Sequence, residues 1–303
     1  MSTDTKETIS SDTQEEFEAQ EVKLQYHLYF VIFATIYFGS FLLPGVVYML
    51  YYLLIFQPLV LENPNFFSLF TELNSLLALI LFPLVAIVSY ILHLAFIGVF
   101  TKLFWKFTEK MCPTKDGIIL RSVPSDTLNY YHLRSFMIKY GKYAFTKGMF
   151  PWLANWFYNF VGSNKIGKGT TIEEEIVADK FIDVGDNCYI GVNSAICSHV
   201  VEGIFGRIPY FEIKLGDNVT CAVFNIIGPG GDIKDNSYFL PMAGVAKHQT
   251  TKGNSNYYFG LPARKIFHKK IMNFLKITDE DIEKDKQLTK EQQERKNLKK
   301  KRD

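Results

Sequence analysis

The sequence predicts a membrane-anchored β protein, in which a transmembrane helical hairpin precedes a left-handed parallel β-helix and a C-terminal helix. Two observations carry this prediction: an apolar residue returns at every sixth position from 166 to 245, and two long uncharged runs precede that region. The expected divisions are a disordered cytosolic tail (1–25), two transmembrane helices (26–110), interfacial or capping helices (111–162), the β-helix (163–266) and a charged helix or tail (267–303).

The six-residue period is the strongest signal in the chain. Neither an α-helix, with a period of about 3.6, nor a half-buried strand, with a period of about 2, produces it. A triangular solenoid does, because each side is a short strand and a turn, and three sides complete a coil with the apolar residues pointing inward. The series, broken once, is Ile166, Ile172, Ala178, Val184, Ile190, Ile196, then Leu215, Cys221, Ile227, Ile233, Phe239 and Val245.

A second series lies four positions after the first and is small or branched. Both series point into the coil in this interpretation. The members of the second are Thr170, Ile176, Ile182, Cys188, Ser194, Val219, Asn225, Gly231, Ser237 and Ala243.

The break in the period locates a candidate active site. From Ile196 to Leu215 the chain is one residue longer than a whole coil, so we expect residues 197–214 to bulge or loop out. Since the coil interior is filled by packed side chains, chemistry is expected on such an excursion. This segment contains His199, Glu202 and Arg207.

Two uncharged runs predict an integral membrane protein with two spans. Residues 28–56 and 73–100 each exceed the roughly 20 apolar residues that a membrane helix needs. Pro44 predicts a kink or tilt, and one kinked span is favoured over a re-entrant pair. His93, in the second run, is expected to serve helix packing rather than proton transfer.

The flanking charges predict the orientation. The loop between the runs has no Lys or Arg, whereas five basic residues follow the second run: Lys102, Lys106, Lys110, Lys115 and Arg121. The positive-inside rule therefore places both termini and the β-helix in the cytoplasm, with the lipid bilayer as a partner.

The segments on either side of the repeats are predicted to be helical. Residues 122–160 mix aromatic residues with Lys and Arg, which suits interfacial helices, with Trp152 and Trp156 on one face, or a helix that caps the first coil. Both roles remain open. The charged C-terminal stretch is expected to be solvated, with contact to anionic lipid as the alternative.

Composition excludes several classes of function. The net charge of +2 gives no indication of nucleic-acid binding. The four cysteines show no CxxC spacing and are expected to be reduced thiols. A zinc site of the γ-carbonic-anhydrase type needs three histidines, and the repeat region supplies only His199 and His248, so no metal is expected.

Three features together resemble a known family. They are the paired spans, the sequence DVGDNCYIGVNSAICSHVVEG followed by IKLGDNVTCAVFNIIGPG, and the closing YFGLPARKI. Over roughly residues 28–266 the chain resembles the C-terminal membrane and β-helix region of poly-ε-lysine-synthetase-type nonribosomal peptide synthetases, and more broadly hexapeptide-repeat acyltransferases. The narrower resemblance depends on His-x-x-Glu at 199 and 202 and Gly-x-Pro-Ala at 260–263.

The resemblance implies acyl transfer by a homotrimer with sites between neighbouring solenoids. The implied donor is acyl-CoA or the phosphopantetheine thioester of an acyl or aminoacyl carrier protein, with no tightly bound cofactor. The sequence has one β-helix unit and shows no adenylation or carrier domain, so autonomous peptide synthesis is not expected.

Acyl transfer needs a base for the proton of the nucleophile and a donor for the carbonyl oxyanion. His199 is the candidate base, because an imidazole with a pKa near 6.5 suits this task at cytosolic pH. Glu202 is expected to orient His199 or to bind an amine. The glycine-rich turns could supply oxyanion amides, at Gly228, Gly230 and Gly231.

The remaining candidate residues are implied by acyl-CoA-using relatives, which bind the pantetheine arm and phosphates where the coil series ends. Lys247 and His248 lie there, and Arg264 could assist. A plain basic surface is the alternative for these residues. Asn225 is a candidate substrate contact, with a buried structural asparagine as the alternative.

The predicted function is a membrane-bound acyltransferase that moves an acyl or aminoacyl group from a thioester to an amine or a hydroxyl. The alternative is a non-catalytic, membrane-anchored β-helix scaffold, since a fold does not prescribe an activity. The acyl group and the acceptor remain open.

Overall fold

The computed structural model describes residues 25–62, 65–173, 176–177, 180–254, 256–266, 272–273 and 275–300. The expected disordered tail therefore lies outside the described residues, apart from Gln25. The helices are α1 (Tyr26–Tyr51), which continues as a π-helix (Tyr52–Leu61), α2 (Ser68–Thr71), α3 (Leu73–Met111), α4 (Asp126–Thr146), a 3₁₀ turn (Pro151–Leu153), α5 (Ala154–Val161), a 3₁₀ turn (Gly203–Phe205) and α6 (Asp279–Lys300).

The strands are short, as expected for the sides of a coil. They are β1 (Gly117–Leu120), β2 (Lys165–Ile166), β3 (Thr171–Ile172), β4 (Ile176–Val177), β5 (Ile182–Val184), β6 (Tyr189–Ile190), β7 (Ala195–Ile196), β8 (Arg207–Tyr210), β9 (Ile213–Leu215), β10 (Thr220–Cys221), β11 (Ile226–Ile227), β12 (Asp232–Ile233), β13 (Ser237–Phe239), β14 (Gly244–Val245), β15 (Asn256–Phe259) and β16 (Arg264–Lys265).

The strands from β2 onward, apart from β8, build a three-sided parallel coil. Lys165 lies opposite Asp183, 18 residues later, so one coil comprises three sides of six residues. The closing strand β16 is antiparallel to β15, which makes that sheet mixed. The sheets are β2-β5-β9-β12, β4-β7-β11-β14 and β3-β6-β10-β13-β15-β16.

The six-residue series forms the interior of this coil. Ile172 is half-buried, Ala178 lies outside the described residues, and the other ten members are buried. In the second series every member whose side chain is described is buried. The period therefore predicted the coil interior, because inward-pointing residues stack on those of the next coil.

Close stacking of the coils accounts for the glycine that often follows the apolar residue. A Cβ atom at Gly191 would lie 1.5 Å from the carbonyl oxygen of Ala222 in the next coil. At the corners one residue per side adopts a positive φ, and asparagine tolerates this conformation better than most residues. Asn187, Asn218 and Asn236 are examples, at 54°, 56° and 56°.

The break in the period is a hairpin inserted into one side of a coil. Ile182 pairs with Ile213, 31 residues later, where most other strand pairs return after 18 or 19. Leu215 thus stacks directly on Val184. This agrees with the expectation that residues 197–214 bulge or loop out, because the inserted residues fold out of the coil as a hairpin instead of adding to it.

Helices α1 and α3 form a long hairpin. Helix α1 continues through Pro44, as one helix rather than a re-entrant pair. Its far end is tied to α3 by hydrogen bonds from the Tyr51 hydroxyl to the Ala78 carbonyl (2.5 Å) and from the Ser75 hydroxyl to the Leu59 carbonyl (2.7 Å). The segments Tyr26–Leu61 and Leu73–Met111 are long and apolar enough to cross a membrane, and only 17% of each apolar window is buried.

Helix α4 packs along the half of the α1–α3 helical hairpin that lies nearest the coil. His93 is 7% exposed, and its ring nitrogens lie 3.2 Å from the Ser40 carbonyl and 3.1 Å from the Tyr140 hydroxyl. This arrangement agrees with a helix-packing role for His93, since one imidazole joins three helices.

Helix α5 covers the open edge of the first coil. The Asn159 side chain donates to the Ile166 carbonyl (2.8 Å) and accepts from the Ile166 amide (2.9 Å), which replaces the missing preceding coil. Asn155 donates to the Thr170 carbonyl (2.5 Å). Phe157 and Tyr158 are fully buried beneath the helix. Of the two roles considered for this segment, capping is the one that these contacts describe.

A buried ion cluster joins the helices to the coil. The Arg134 side chain in α4 is 6% exposed and lies 3.1 Å from the Glu109 carboxylate in α3. Lys180, at the start of a coil side, also binds Glu109, at 2.7 Å. Among the three, only Arg134 is fully buried, so removal of Glu109 would leave the Arg134 charge without its carboxylate partner and destabilise this junction. The cluster thus fixes the coil relative to α3 and α4.

The Gly191→Ala variant tests the coil stacking. We expect it to lower the free energy of unfolding by roughly 2–4 kcal/mol, because the added methyl group overlaps the Ala222 carbonyl. Gly203→Ala is the matched control, since the nearest atom to its Cβ, the Nη1 of Arg121, is 3.7 Å away. Denaturant unfolding followed by far-UV circular dichroism measures both. Equal stability of the two variants would contradict the stacking.

Candidate functional site

The inserted hairpin, residues 198–211, lies between the coil and helix α4. Its base is closed by a hydrogen bond from the Phe211 amide to the Ser198 carbonyl (2.8 Å). One strand of the hairpin, β8, pairs along its other edge with β1, so that Ile119 lies opposite Ile208. The hairpin and β1 thus form a small antiparallel sheet, which ties one edge of the excursion to the segment that follows α3.

His199 lies at the junction of this sheet with α4. It bridges to Tyr210 across the hairpin, with ring centroids 5.8 Å apart, and meets Tyr131 of α4 edge to face at 5.4 Å. The imidazole is half-buried. It therefore faces a helix of its own chain, and its exposure to a neighbouring chain stays a prediction.

A second imidazole, that of His132, lies close enough to His199 to interact with it electrostatically. His132 follows Tyr131 in α4, with ring centroids 5.1 Å apart. Burial lowers the pKa of His132 below its ordinary value, and the charges of Arg121 and His199 lower it further. The sequence does not indicate this pair of histidines, because the β1–β8 pairing, which has no periodic signal, brings α4 to the hairpin.

Glu202 is engaged by two cations. Its carboxylate accepts a hydrogen bond from Arg207 Nε at 2.6 Å and another from the Lys247 ammonium. The hydrogen bonds from Lys247 and Arg207 hold the pKa of this carboxyl below its usual range. These contacts tie the hairpin to the corner at Lys247, and they do not support the expectation that Glu202 orients His199.

The glycine-rich corner (residues 228–231) and the basic corner (Lys247 and His248) belong to adjacent coils and are stacked on each other. The His248 amide donates to the Pro229 carbonyl (2.9 Å), and a Cβ at Gly230 would lie 2.4 Å from His248 Nδ1. Phe211, at the end of the hairpin, meets the His248 ring at 4.4 Å. The amides of Gly228 and Gly231 already donate within the coil. They are therefore poor candidates for oxyanion donors.

Two further candidates lie apart from this corner. Asn225 is 1% exposed, and its side-chain amide donates to the carbonyls of Leu240 (2.8 Å) and Ala243 (3.1 Å). Burial denies it access to substrate, which agrees with the buried structural asparagine of the two interpretations, with a role in stacking the coils. Arg264 is exposed on the closing hairpin, where the neighbouring Ala263 carbonyl accepts from Gln249 (2.6 Å).

The thiols and possible metal ligands offer no second centre in the described part of the chain. There, no group of three or more His, Cys, Asp or Glu side chains is placed to hold a metal ion. Burial raises the pKa of the Cys188 thiol to about 11 and that of Cys221 further. Both therefore remain protonated and unreactive at neutral pH.

Hexapeptide-repeat acetyltransferases are among the solved structures similar to this chain, whereas no protein-family model and no curated protein matches the sequence. A maltose O-acetyltransferase from Clostridium difficile is 26% identical, with a TM-score of 0.31, over 35% of this chain and 59% of that protein. A Vibrio cholerae hexapeptide-repeat acetyltransferase solved with acetyl coenzyme A is 14% identical, with a TM-score of 0.37, over 48% of this chain and 90% of its own.

A galactoside acetyltransferase in complex with coenzyme A is 18% identical, with a TM-score of 0.38, over 47% of this chain and 84% of its own. These similarities cover at most about half of this chain. At such TM-scores they carry no conclusion about its activity.

The lowered pKa of His132 predicts a dependence of stability on pH. The unfolded imidazole, with a pKa near 6.5, binds a proton more readily than the folded one. Stability is therefore full above pH 6.5 and is lost as the pH falls toward the folded pKa. We expect the wild type to lose more stability between pH 7.5 and 5.5 than His132→Asn does. Thermal unfolding across this range, with exposed His27→Asn as control, measures the difference. Parallel curves for wild type and His132→Asn would contradict it.

Proposed function

We propose that the chain is a membrane-bound acyltransferase that moves an acyl or aminoacyl group from a thioester to an amine or a hydroxyl. One observation carries this proposal: a single inserted hairpin holds the His199 imidazole against Tyr131 and also reaches the basic corner at Lys247 and His248. A general base and a cationic surface for a phosphate-bearing donor are thus connected by one short segment.

In the proposed reaction His199 is the general base. Its neutral imidazole takes the proton of the amine or hydroxyl as the nucleophile attacks the thioester carbonyl. The carbon–sulfur bond then breaks, and the imidazolium returns the proton to the departing thiolate. His132, kept neutral by burial, adds a second uncharged imidazole near His199. The donor is acyl-CoA or a carrier-protein thioester, whose phosphates suit Lys247, His248 and Arg264.

Assembly as a homotrimer of left-handed coils is part of the proposal. Apolar side chains are exposed at one corner of the coil and on the adjoining closing hairpin, and monomeric proteins rarely expose contiguous apolar patches of this kind. The exposed fractions are 55% for Phe224, 52% for Ile226, 73% for Met242 and 71% for Leu261. A second copy of the chain would cover this surface.

Insertion into a bilayer with both termini and the coil in the cytoplasm completes the proposal. The half of the α1–α3 helical hairpin that lies farthest from the coil comprises residues 41–61 and 73–92. It has about 20 residues in each helix, which at about 1.5 Å per residue matches the roughly 30 Å hydrocarbon core. Large side chains there are open to the surroundings, for example Leu42 (70%), Leu54 (70%) and Ile80 (59%). The basic residues of α3 lie at the opposite end, beside the coil.

The alternative is a non-catalytic membrane-anchored scaffold. The pairing of Glu202 with Arg207 and Lys247 favours it, because these charges stabilise the hairpin without needing a substrate.

Cysteine labelling in lipid nanodiscs tests the membrane proposal. In a background with Cys112→Ser and Cys197→Ser, we expect Ile80→Cys to resist a water-soluble maleimide and Phe205→Cys, on the inserted hairpin, to react. Both side chains are open in the chain alone, at 59% and 65% exposure, so only lipid distinguishes them. Equal labelling of the two in nanodiscs would contradict insertion.

The His199→Ala variant tests the catalytic proposal. We expect the rate of transfer from labelled acyl-CoA or acyl-carrier protein to a primary amine to fall by roughly 10²–10⁴, the typical contribution of a general base. His27→Ala, exposed in the first turn of α1, is the matched control and should retain the wild-type rate. Unchanged turnover in His199→Ala removes His199 from the mechanism, and no turnover with any donor in the wild type favours the scaffold.

A further inference from the structure

A groove between α1 and α4 leads toward the two imidazoles. It encloses about 260 Å³, and its α1 wall consists of Tyr26, Tyr29, Phe30 and Phe33. Tyr29 is 6% exposed, whereas Phe30 is 71% exposed at the rim. One wall of the groove is therefore made entirely of aromatic rings, whose faces attract an ammonium group.

The opposite wall combines polar side chains with an aromatic ring. It is formed by His132, Ser135, Phe136 and Lys139, which follow one face of α4. The Ser135 hydroxyl oxygen is buried and has no hydrogen-bond partner among the described residues. A buried hydroxyl without a partner carries a desolvation cost, and a bound polar group would remove that cost. Phe136 stacks on Tyr29, with centroids 5.5 Å apart, and closes the floor.

The two ends of the groove differ in their surroundings. Lys139 precedes Tyr140, which contacts His93 at the level where the proposed bilayer segment begins. His132 lies at the other end, next to Tyr131 and in electrostatic contact with His199. The groove thus runs from the proposed bilayer surface to His132, which interacts electrostatically with the candidate base.

We propose that this groove binds the head group of an amine-bearing phospholipid as the acyl acceptor, an inference that rests on the proposed function. The phosphate pairs with Lys139, the amine lies along the aromatic wall toward His132, and the hydrocarbon chains stay in the bilayer. The volume suits a head group rather than a whole lipid. In the transfer, the thioester carbon–sulfur bond breaks, a carbon–nitrogen bond forms at the lipid amine, and the amine proton passes through His199 to the thiolate.

Native mass spectrometry of the full chain tests lipid binding without activity. The protein is equilibrated with phosphatidylethanolamine, phosphatidylcholine or phosphatidylglycerol, and the bound lipid is quantified. We expect phosphatidylethanolamine to be retained preferentially, and retention to fall roughly three- to ten-fold in Phe30→Ala and in Lys139→Ala, since each removes one cation–π wall or charge partner.

Matched controls identify the groove as the site. Phe38→Ala, 67% exposed on the same helix, and Lys106→Ala, exposed on α3, should retain wild-type binding. Equal retention of phosphatidylglycerol, an equal loss in the controls, or no loss in the groove variants overturns the proposal. Competition by soluble glycerophosphoethanolamine at the same concentration also overturns it, because the ligand would then be a free solute.

The experiments distinguish rejection of the lipid-binding proposal from rejection of the proposed acyltransferase activity. His199→Ala should still retain phosphatidylethanolamine, so lipid binding without any acyl transfer rejects the proposed function and leaves the head-group site. Acyl transfer to a soluble amine but not to phosphatidylethanolamine rejects the head-group acceptor and leaves the acyltransferase.

Discussion

The antiparallel pairing of β1 with β8 is the interaction on which the placement of the candidate site depends. Strand β1 belongs to the segment that follows α3, and β8 belongs to the hairpin inserted into the coil. Without this pairing the hairpin would lose its backbone hydrogen bonds to the segment that follows α3. With it, His199 is held against Tyr131, and the coil, the hairpin and α4 meet at one junction.

Other contacts also fix the helices relative to the coil. Helix α5 supplies side-chain amides where the first coil has no preceding coil, and the cluster of Glu109, Arg134 and Lys180 neutralises charges that neither part could bury alone. The helical part of the chain does more than pack on the coil. It also forms one wall of the candidate site and brings His132, which belongs to no repeat, next to the repeat region.

The repetitive part of the fold could be predicted from the sequence. A strict period of six requires a three-sided coil, in which Ile190, Cys221 and Phe239 stack on one another in the interior. The position of the excursion was also readable, because the period of six breaks between Ile196 and Leu215. The pairing of β1 could not be predicted, since Gly117–Leu120 is four residues with no periodic signal and its partner is about 90 residues away. For the same reason the sequence identified His199 but not its neighbours.

The most direct test of this account is disulfide formation between β1 and β8. Ile118 lies opposite Pro209, which has no N–H, so the two form a non-hydrogen-bonded pair with Cα atoms about 4.5 Å apart, within the range that a disulfide spans. In a chain with Cys112→Ser and Cys197→Ser, the account predicts rapid oxidation of Ile118→Cys with Pro209→Cys. The offset pair Ile119→Cys with Pro209→Cys, whose side chains point to opposite faces, should stay reduced. Equal oxidation of both pairs, or of neither, would contradict the account.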